Sequence, residues 1–286
     1  MTSAAEHYAA LVDAMTSQAE RIRGGAPQGD RYGGASAAAK RFRYDPRREL
    51  DANLEAICSY VRAGDVVVDV GGGAGRIGLP LALRCGEVVN AEPSPAMIAE
   101  FESSAAEADI TNARAVPGGW TEIGEPLAGD VAIAAHVTYF VRDIVPFIEK
   151  LAAGARRRVI IAVFSTPPPN MRNDIFRAVY DEELAPLPGH RELLPVLWDM
   201  GVLPDVRVLP VPFGAGIGAS VAAPGTQAET VGRQLDDLWL PNAEDRARAQ
   251  RLLDEHFDAL FMSVGNAFAR RSGHDAREVL ITWETA

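Results

Sequence analysis

DVVVDVGGGAGRIGLPLALRCGEVVNAEPSPAM, residues Asp65 to Met97, is the stretch from which the fold is read. Asp65 to Val70 is a short Val-rich run, the composition of a strand buried on both faces. Gly71, Gly72, Gly73 and Gly75 follow at once, as a chain requires where it turns sharply and lets a ligand approach its backbone. From Arg76 to Cys85 apolar residues recur at helical spacing: Ile77, Leu79, Leu81 and Leu83. Pro80 interrupts that run, and proline fits best in a helix's first turn, so a start nearer Gly78 is the alternative. Glu87 to Ala91 is a second strand, with Glu92 at its carboxyl end. The whole is a βαβ unit built to hold a nucleoside.

Two nucleosides fit that unit unequally. Gly73-Ala74-Gly75-Arg76-Ile77-Gly78 matches the dinucleotide fingerprint, and Glu92 follows Gly71 by 21 residues, the position of a ribose-binding acid. Asp69 argues against a dinucleotide, because an acid two residues before Gly71 would face an anionic pyrophosphate. Read from that acid, Asp69 to Gly75 is D-x-G-x-G-x-G, and the second strand runs on as Glu92-Pro93-Ser94-Pro95-Ala96-Met97.

These two motifs resemble the cofactor half of the class I S-adenosylmethionine-dependent methyltransferases. Asp69, Gly71, Gly73, Gly75, Glu92, Ser94 and Met97 match residue by residue, and a looser resemblance runs from about Asp45 to the carboxyl terminus. It implies an α/β fold: a doubly wound, seven-stranded, mostly parallel sheet with an antiparallel last strand. It also implies S-adenosyl-L-methionine as cofactor, held by Asp69, Gly71, Gly73, Gly75, Glu92, Pro93 and Met97. The ligand's chemistry agrees, since it carries a sulfonium, an ammonium and a carboxylate but no phosphate. An acid near the ammonium is then useful, and Glu92 would accept from both ribose hydroxyls. The plain alternatives are a strand-end acid capping the turn for Asp69 and a core position for Met97. Where the family pattern places an acid after the third strand, this chain has Gly118-Gly119-Trp120. Backbone at Gly119 would then read the adenine edge, and Trp120 either lies against the ring or belongs to the core.

Composition narrows the function classes. Twenty-eight Lys and Arg stand against 39 Asp and Glu, a formal net charge of −11, and the longest basic run is Arg156-Arg157-Arg158. A polynucleotide partner calls for a basic face, so none is expected. The two cysteines, Cys58 and Cys85, read as buried apolar residues of a reducing compartment. Residues 1 to 23 carry charge throughout without an apolar core, and no run of the ~20 apolar residues that span a bilayer occurs, so a cytoplasmic protein without membrane contact is expected. The five histidines are scattered, and no metal-binding spacing appears. Gly216 to Ser220 lacks the frame of a nucleophile elbow.

In chain order, residues 1–44 read as an amphipathic helix (Ala4 to Ile22) followed by a glycine-rich hinge (Gly24 to Ala35), either a connector or a lid over the site. Arg41-Phe42-Arg43-Tyr44 is either a surface turn or, as related enzymes suggest, a partner of the methionyl carboxylate. Residues 45–286 form the cofactor-binding domain. It opens with a helix from Pro46 to Val61 capped by Asp45. Further strands are expected at Asn112 to Pro117, Asp130 to Ala135, Arg157 to Ser165, Asp205 to Phe213 (an edge, given its two prolines) and Glu278 to Trp283. Inserts at about 167–189 and 224–272 read as helical, the second with one apolar stripe of Leu253, Phe257, Leu260, Phe261, Val264 and Phe268 behind Asn242. That stripe suits helix packing or a homodimer face, and the insert as a whole suits a cap over a small-molecule methyl acceptor.

His136 and Tyr139 follow the fourth strand, at the edge where open α/β sheets place ligands. They are the candidate catalytic groups if the acceptor must lose a proton, and His136 also lines the expected cofactor pocket. The expected reaction is in-line transfer of a methyl group to an O, N or C nucleophile. The alternatives are an NAD(P)-dependent oxidoreductase using Gly73, Gly75 and Gly78, and a protein that binds S-adenosylmethionine without turnover.

Overall fold

A computed structural model describes residues 2–24, 37–212, 225–272 and 276–285. Its centre is a seven-stranded sheet. Its strands are β1 (Val66–Val70), β2 (Glu87–Glu92), β3 (Ala113–Pro117), β4 (Gly129–Ala135), β5 (Ala155–Phe164), β6 (Asp205–Pro212) and β9 (Arg277–Glu284). They lie in the order β3-β2-β1-β4-β5-β9-β6. β1 pairs in parallel with β2 and with β4, so Val68 sits between Val89 and Ala132. β9 is antiparallel to both β5 and β6. The expected doubly wound sheet with an antiparallel last strand is present, and β6 is its edge.

Strand periodicity divides the core. Val68 and Val70 point to one face, Val67 and Asp69 to the other, since successive side chains alternate across a strand. The first face packs beneath α1 (Ala4–Arg23), α6 (Ile144–Ala153) and α8 (His190–Asp199). The second packs beneath α3 (Ala52–Cys58), α4 (Gly78–Ala82) and α5 (Pro95–Glu107), where Leu54, Leu79, Leu81 and Phe101 are fully covered. Each such side chain contributes roughly 1.5–3 kcal/mol by leaving water. α1 is thus part of the sheet's helical layer: its Tyr8 is 0% exposed and donates from its hydroxyl to the Thr138 carbonyl at 2.7 Å. Of the glycine-rich hinge, all but Gly24 lies outside the described residues.

Three local expectations are corrected. Asp45 and Pro46 do not start a helix: Arg48 N–H bonds back to the Asp45 carbonyl in a turn, and α3 begins only after Asp51, whose carboxylate accepts from the amides of Asn53 and Leu54. Asp51 wins because its side chain reaches two orphan amides at once. The helix after the glycine loop is Gly78–Ala82, with Pro80 inside its first turn, so the later start applies. The second insert is not helical throughout. Asn242 does cap α10 (Ala243–Glu255), which packs on α9 (Gln227–Leu235) and on α7 (Asn173–Tyr180) of the first insert. A short α11 (Phe257–Leu260) then gives way to a hairpin of β7 (Phe261–Val264) and β8 (Ala267–Arg270), turning at Gly265 with φ +61°. The apolar stripe therefore crosses two kinds of structure: Leu253, Phe257, Leu260 and Phe261 share a small core, Phe268 packs against it, and Val264 is 48% exposed. Gly216 to Ser220 lies outside the described residues.

Candidate functional site

β1 and β4 are neighbours although their sequence positions are not, and the crevice beyond their carboxyl ends is where open α/β sheets hold ligands. Gly71, Gly73 and Gly75 line it at φ +68°, +57° and +84°, conformations an L side chain rarely adopts. A Cβ on Gly71 would lie 2.6 Å from Val137 Cγ2, whereas one on Gly73 would meet only Met97 Sδ at 3.8 Å. Backbone is thus bared toward open space at Gly73. Both polar groups of that residue are fixed from β2: its N–H donates to Glu92 Oε2 and its carbonyl accepts from Asn90 Nδ2, each at 3.0 Å. Glu92 Oε1 accepts from the Ser94 amide at 2.9 Å. Both Glu92 oxygens are thus held in place by backbone amides at the carboxyl end of β2.

Asp69 does not face the crevice. It is 1% exposed beneath the loop, accepts from the Gly78 amide, and would clash with any Cβ on Gly72 or Gly78, at 2.4 and 2.7 Å from Oδ2. Its Oδ2 and the nearby Asn90 Oδ1 are both buried without a hydrogen-bond partner. Burial, reinforced by the Glu92 charge, pushes the Asp69 carboxyl up to about 7. Met97 is buried with Ala74 and with Ala39 of α2 (Ala37–Lys40), so the segment preceding Arg41 packs on the glycine loop. Pro93 is exposed at the crevice rim. Gly119 follows β3, and its neighbour Gly118 donates to the Glu92 carbonyl at 3.1 Å. Trp120 is only 5% exposed, in the core shared with α6, with Lys150 Nζ 5.1 Å from its ring centre. That is the geometry of a core tryptophan.

Beyond β4 lies a second polar group. His136, at φ +62°, donates its amide to the Ala162 carbonyl and stacks on Phe164 at 4.4 Å. Its Nε2 is 2.9 Å from Glu278 Oε1, and Asn53 Nδ2 donates to the other Glu278 oxygen at 2.9 Å. Its Nδ1 lies 3.3 Å from the Tyr139 hydroxyl, which accepts the Phe164 amide. The hydroxyl proton is then directed at Nδ1, which places the ring proton on Nε2 toward Glu278. Burial holds the His136 pKa below its ordinary value and carries Tyr139 far above its own. Burial also acts to raise Glu278, but the bonds from His136 and Asn53 and the charge of Arg76 outweigh it and hold the carboxyl low. His136 and Tyr139 are brought together as expected, with both imidazole nitrogens engaged inside the protein.

Beyond Asn53, Asn90 and Glu278, described above, two more residues of interest escaped the reading of the sequence. Arg76 follows the third glycine, and its charge bears on Asp69, His136, Tyr139 and Glu278; its Nη1 is buried without a partner. A cation set directly behind the glycines was the available signal. His190, at the start of α8, also keeps a buried Nδ1 without a partner. Arg43, by contrast, is tied to Glu100 and Glu107 of α5, and Arg41 to Asp236. A cleft of about 610 Å³ opens at the far, amino-terminal edge of the sheet, between Ala152, Leu203 and Trp283, away from these groups. Among the described residues no cluster suits a metal ion, and no helix is long and apolar enough to cross a membrane.

No family model and no curated protein matches the chain. Solved structures do. A methyltransferase candidate from Bacillus halodurans superposes with a TM-score of 0.54 at 11% identity, over 82% of this chain and 97% of that one. The fold is that of the class I methyltransferases. YcgJ from Bacillus subtilis superposes at a TM-score of 0.51 and 15% identity, over 80% of this chain and 97% of its own. The [4+2]-cyclase SpnF covers 99% of this chain and 96% of its own at a TM-score of 0.52 and 13% identity. One methyltransferase fold thus carries more than one reaction, and the fold does not choose among them.

Proposed function

We infer that the protein is an S-adenosylmethionine-dependent methyltransferase acting on a small molecule. The observation that carries the reading is the joint presence of the antiparallel β9 between β5 and β6 and the Glu92 carboxylate bonded to Gly73, the middle of three positive-φ glycines. A dinucleotide-binding sheet has the order 3-2-1-4-5-6 without such an inserted strand, so the oxidoreductase reading lacks its architecture. The cradle fits a nucleoside with a slender chain: Gly73 leaves backbone bare, and the Glu92 carboxylate at the end of β2 is the acceptor suited to ribose hydroxyls. Gly71, Gly73, Gly75 and Glu92 would hold the cofactor directly, with Asp69 and Asn90 shaping the loop from below. When bound, S-adenosylmethionine supplies a methyl group on a sulfonium, already activated for in-line displacement.

The chain's own part is positioning. Val137 and the glycine loop fix the crevice floor, and the His136–Glu278–Asn53 group stiffens its wall. With both nitrogens of His136 engaged, its role is to position the edge rather than to remove a proton from the acceptor. Calorimetry tests the reading. S-adenosylhomocysteine should bind and NAD should give no heat, and Glu92→Ala should weaken S-adenosylhomocysteine at least tenfold. Tighter binding of NAD than of S-adenosylhomocysteine refutes it.

A further inference from the structure

We propose that Arg76 is the anchor for a carboxylate bound at the carboxyl edge of the sheet, between the glycine loop and the His136–Glu278 pair. The inference rests on the S-adenosylmethionine reading above. Arg76 Nη1 is buried and makes no hydrogen bond, and no ion pair joins Arg76 to a carboxylate among the described residues. A guanidinium does not escape burial by losing its proton, so an Nη1 left without an acceptor is destabilising until one arrives.

No carboxylate among the described residues makes a hydrogen bond or ion pair with Arg76, although its charge acts on Glu278 and Asp69. Glu278 is taken up by His136 and Asn53, and Asp69 sits beneath the loop with its carboxyl pushed up to about 7. Arg48 adds a second cation rather than relief: it donates to the Arg76 carbonyl at 2.8 Å, and its own pKa is lowered by burial and by the Arg76 charge. An idle buried N–H on one guanidinium, with a second guanidinium near enough to feel its charge, selects for an oxyanion. The planar fork of Arg suits a carboxylate in particular. Arg41 and Arg43, the alternatives suggested by the sequence, are committed to Asp236, Glu100 and Glu107.

The carboxylate has two sources: the amino-acid tail of the cofactor, or the acceptor itself. Calorimetry on the full chain separates them, using S-adenosylhomocysteine, 5′-methylthioadenosine (the same thioether nucleoside without the tail) and benzoate, the last with and without saturating S-adenosylhomocysteine. Arg76→Gln should weaken at least one carboxylate ligand tenfold or more and leave 5′-methylthioadenosine within twofold, with Arg76→Lys recovering part of the loss. Loss confined to S-adenosylhomocysteine assigns the site to the cofactor tail, and loss confined to benzoate assigns it to the acceptor. Arg76→Met takes the place of the glutamine variant if its thermal melt departs from wild type by more than a few degrees. Unchanged affinity for both carboxylates, or an equal loss for 5′-methylthioadenosine, overturns the proposal. A wild type that takes up neither nucleoside overturns the cofactor reading instead, and the benzoate titration without nucleoside then decides Arg76 by itself.

Discussion

Replacing Asp69 by asparagine should stabilise the protein at alkaline pH and leave it nearly unchanged in acid. Asp69 is 1% exposed, Oδ2 has no partner, and the carboxyl is carried from 3.8 to about 7, first by burial and then by the Glu92 charge. The folded state therefore holds a proton that the unfolded chain releases near 3.8. Stability contributed by that proton is present below the unfolded value and is lost as pH rises toward 7, levelling off above it. Between pH 5 and pH 8 the loss amounts to about 3 kcal/mol, at 1.36 kcal/mol per pH unit. Asparagine has nearly the same shape and no proton to lose. Its amide also offers a donor to Asn90 Oδ1, the orphan acceptor beside it.

The assay is urea unfolding of both proteins at pH 5 and pH 8. Other titrating groups are common to both and cancel in the difference. The midpoint advantage of Asp69→Asn should appear at pH 8 and shrink at pH 5, with m-values unchanged. S-adenosylhomocysteine affinity should stay within a few-fold, because the side chain faces away from the crevice. A difference equal at both pH values within ~0.5 kcal/mol, or an asparagine variant less stable at pH 8, refutes the assignment of a buried, proton-holding acid.

Gly75→Ala should unfold the loop region: a Cβ there meets Leu79 Cγ at 2.6 Å and Phe101 Cδ2 at 2.7 Å at φ +84°, so a loss of ~1–3 kcal/mol and of S-adenosylhomocysteine binding is expected by melting and calorimetry. Tyr8→Phe removes the buried bond to Thr138, whose carbonyl keeps the Val141 amide; about 1 kcal/mol of stability should go, with faster hydrogen exchange at Val141. Glu278→Ala leaves Asn53 and His136 without their acceptor, and a loss of roughly 2–3 kcal/mol is expected by urea unfolding, more than for Glu278→Gln.

The glycine loop and the flanking acids were legible because their constraints are local. Positive φ at Gly71, Gly73 and Gly75 and an acid closing β2 leave marks at fixed spacing. The direction of Asp69 was not legible, because alternation along β1 fixes only which face a residue takes, and the packing of Gly78 over that face decides what it meets. The second insert misled for a related reason. Leu260, Phe261, Val264 and Phe268 satisfy a helical period, yet the turn at Gly265 folds them into a hairpin whose Phe261 stacks on Phe257 at 4.8 Å. Short apolar runs fit both periods, and tertiary packing chose. The Asp51 cap was likewise hidden by a better-looking Asp-Pro pair nearby.

What distinguishes this chain from a generic nucleoside-binding sheet is the polar wall at the β4–β5–β9 edge, assembled from residues far apart in sequence: Asn53, Arg76, His136, Tyr139 and Glu278. Its hydrogen bonds are nearly closed upon themselves, which argues for a rigid surface rather than a proton-transfer chain. The exception is Arg76, whose charge acts on Glu278 and Asp69 but whose buried Nη1 has no acceptor. Selectivity at such an edge follows from which ligand supplies the missing oxygens. A neutral acceptor gains nothing from this wall, whereas a carboxylate gains a charge-assisted pair and a fixed orientation relative to the glycine loop. Neutralising Arg76 should therefore change which ligands are chosen more than it changes the stability of the fold.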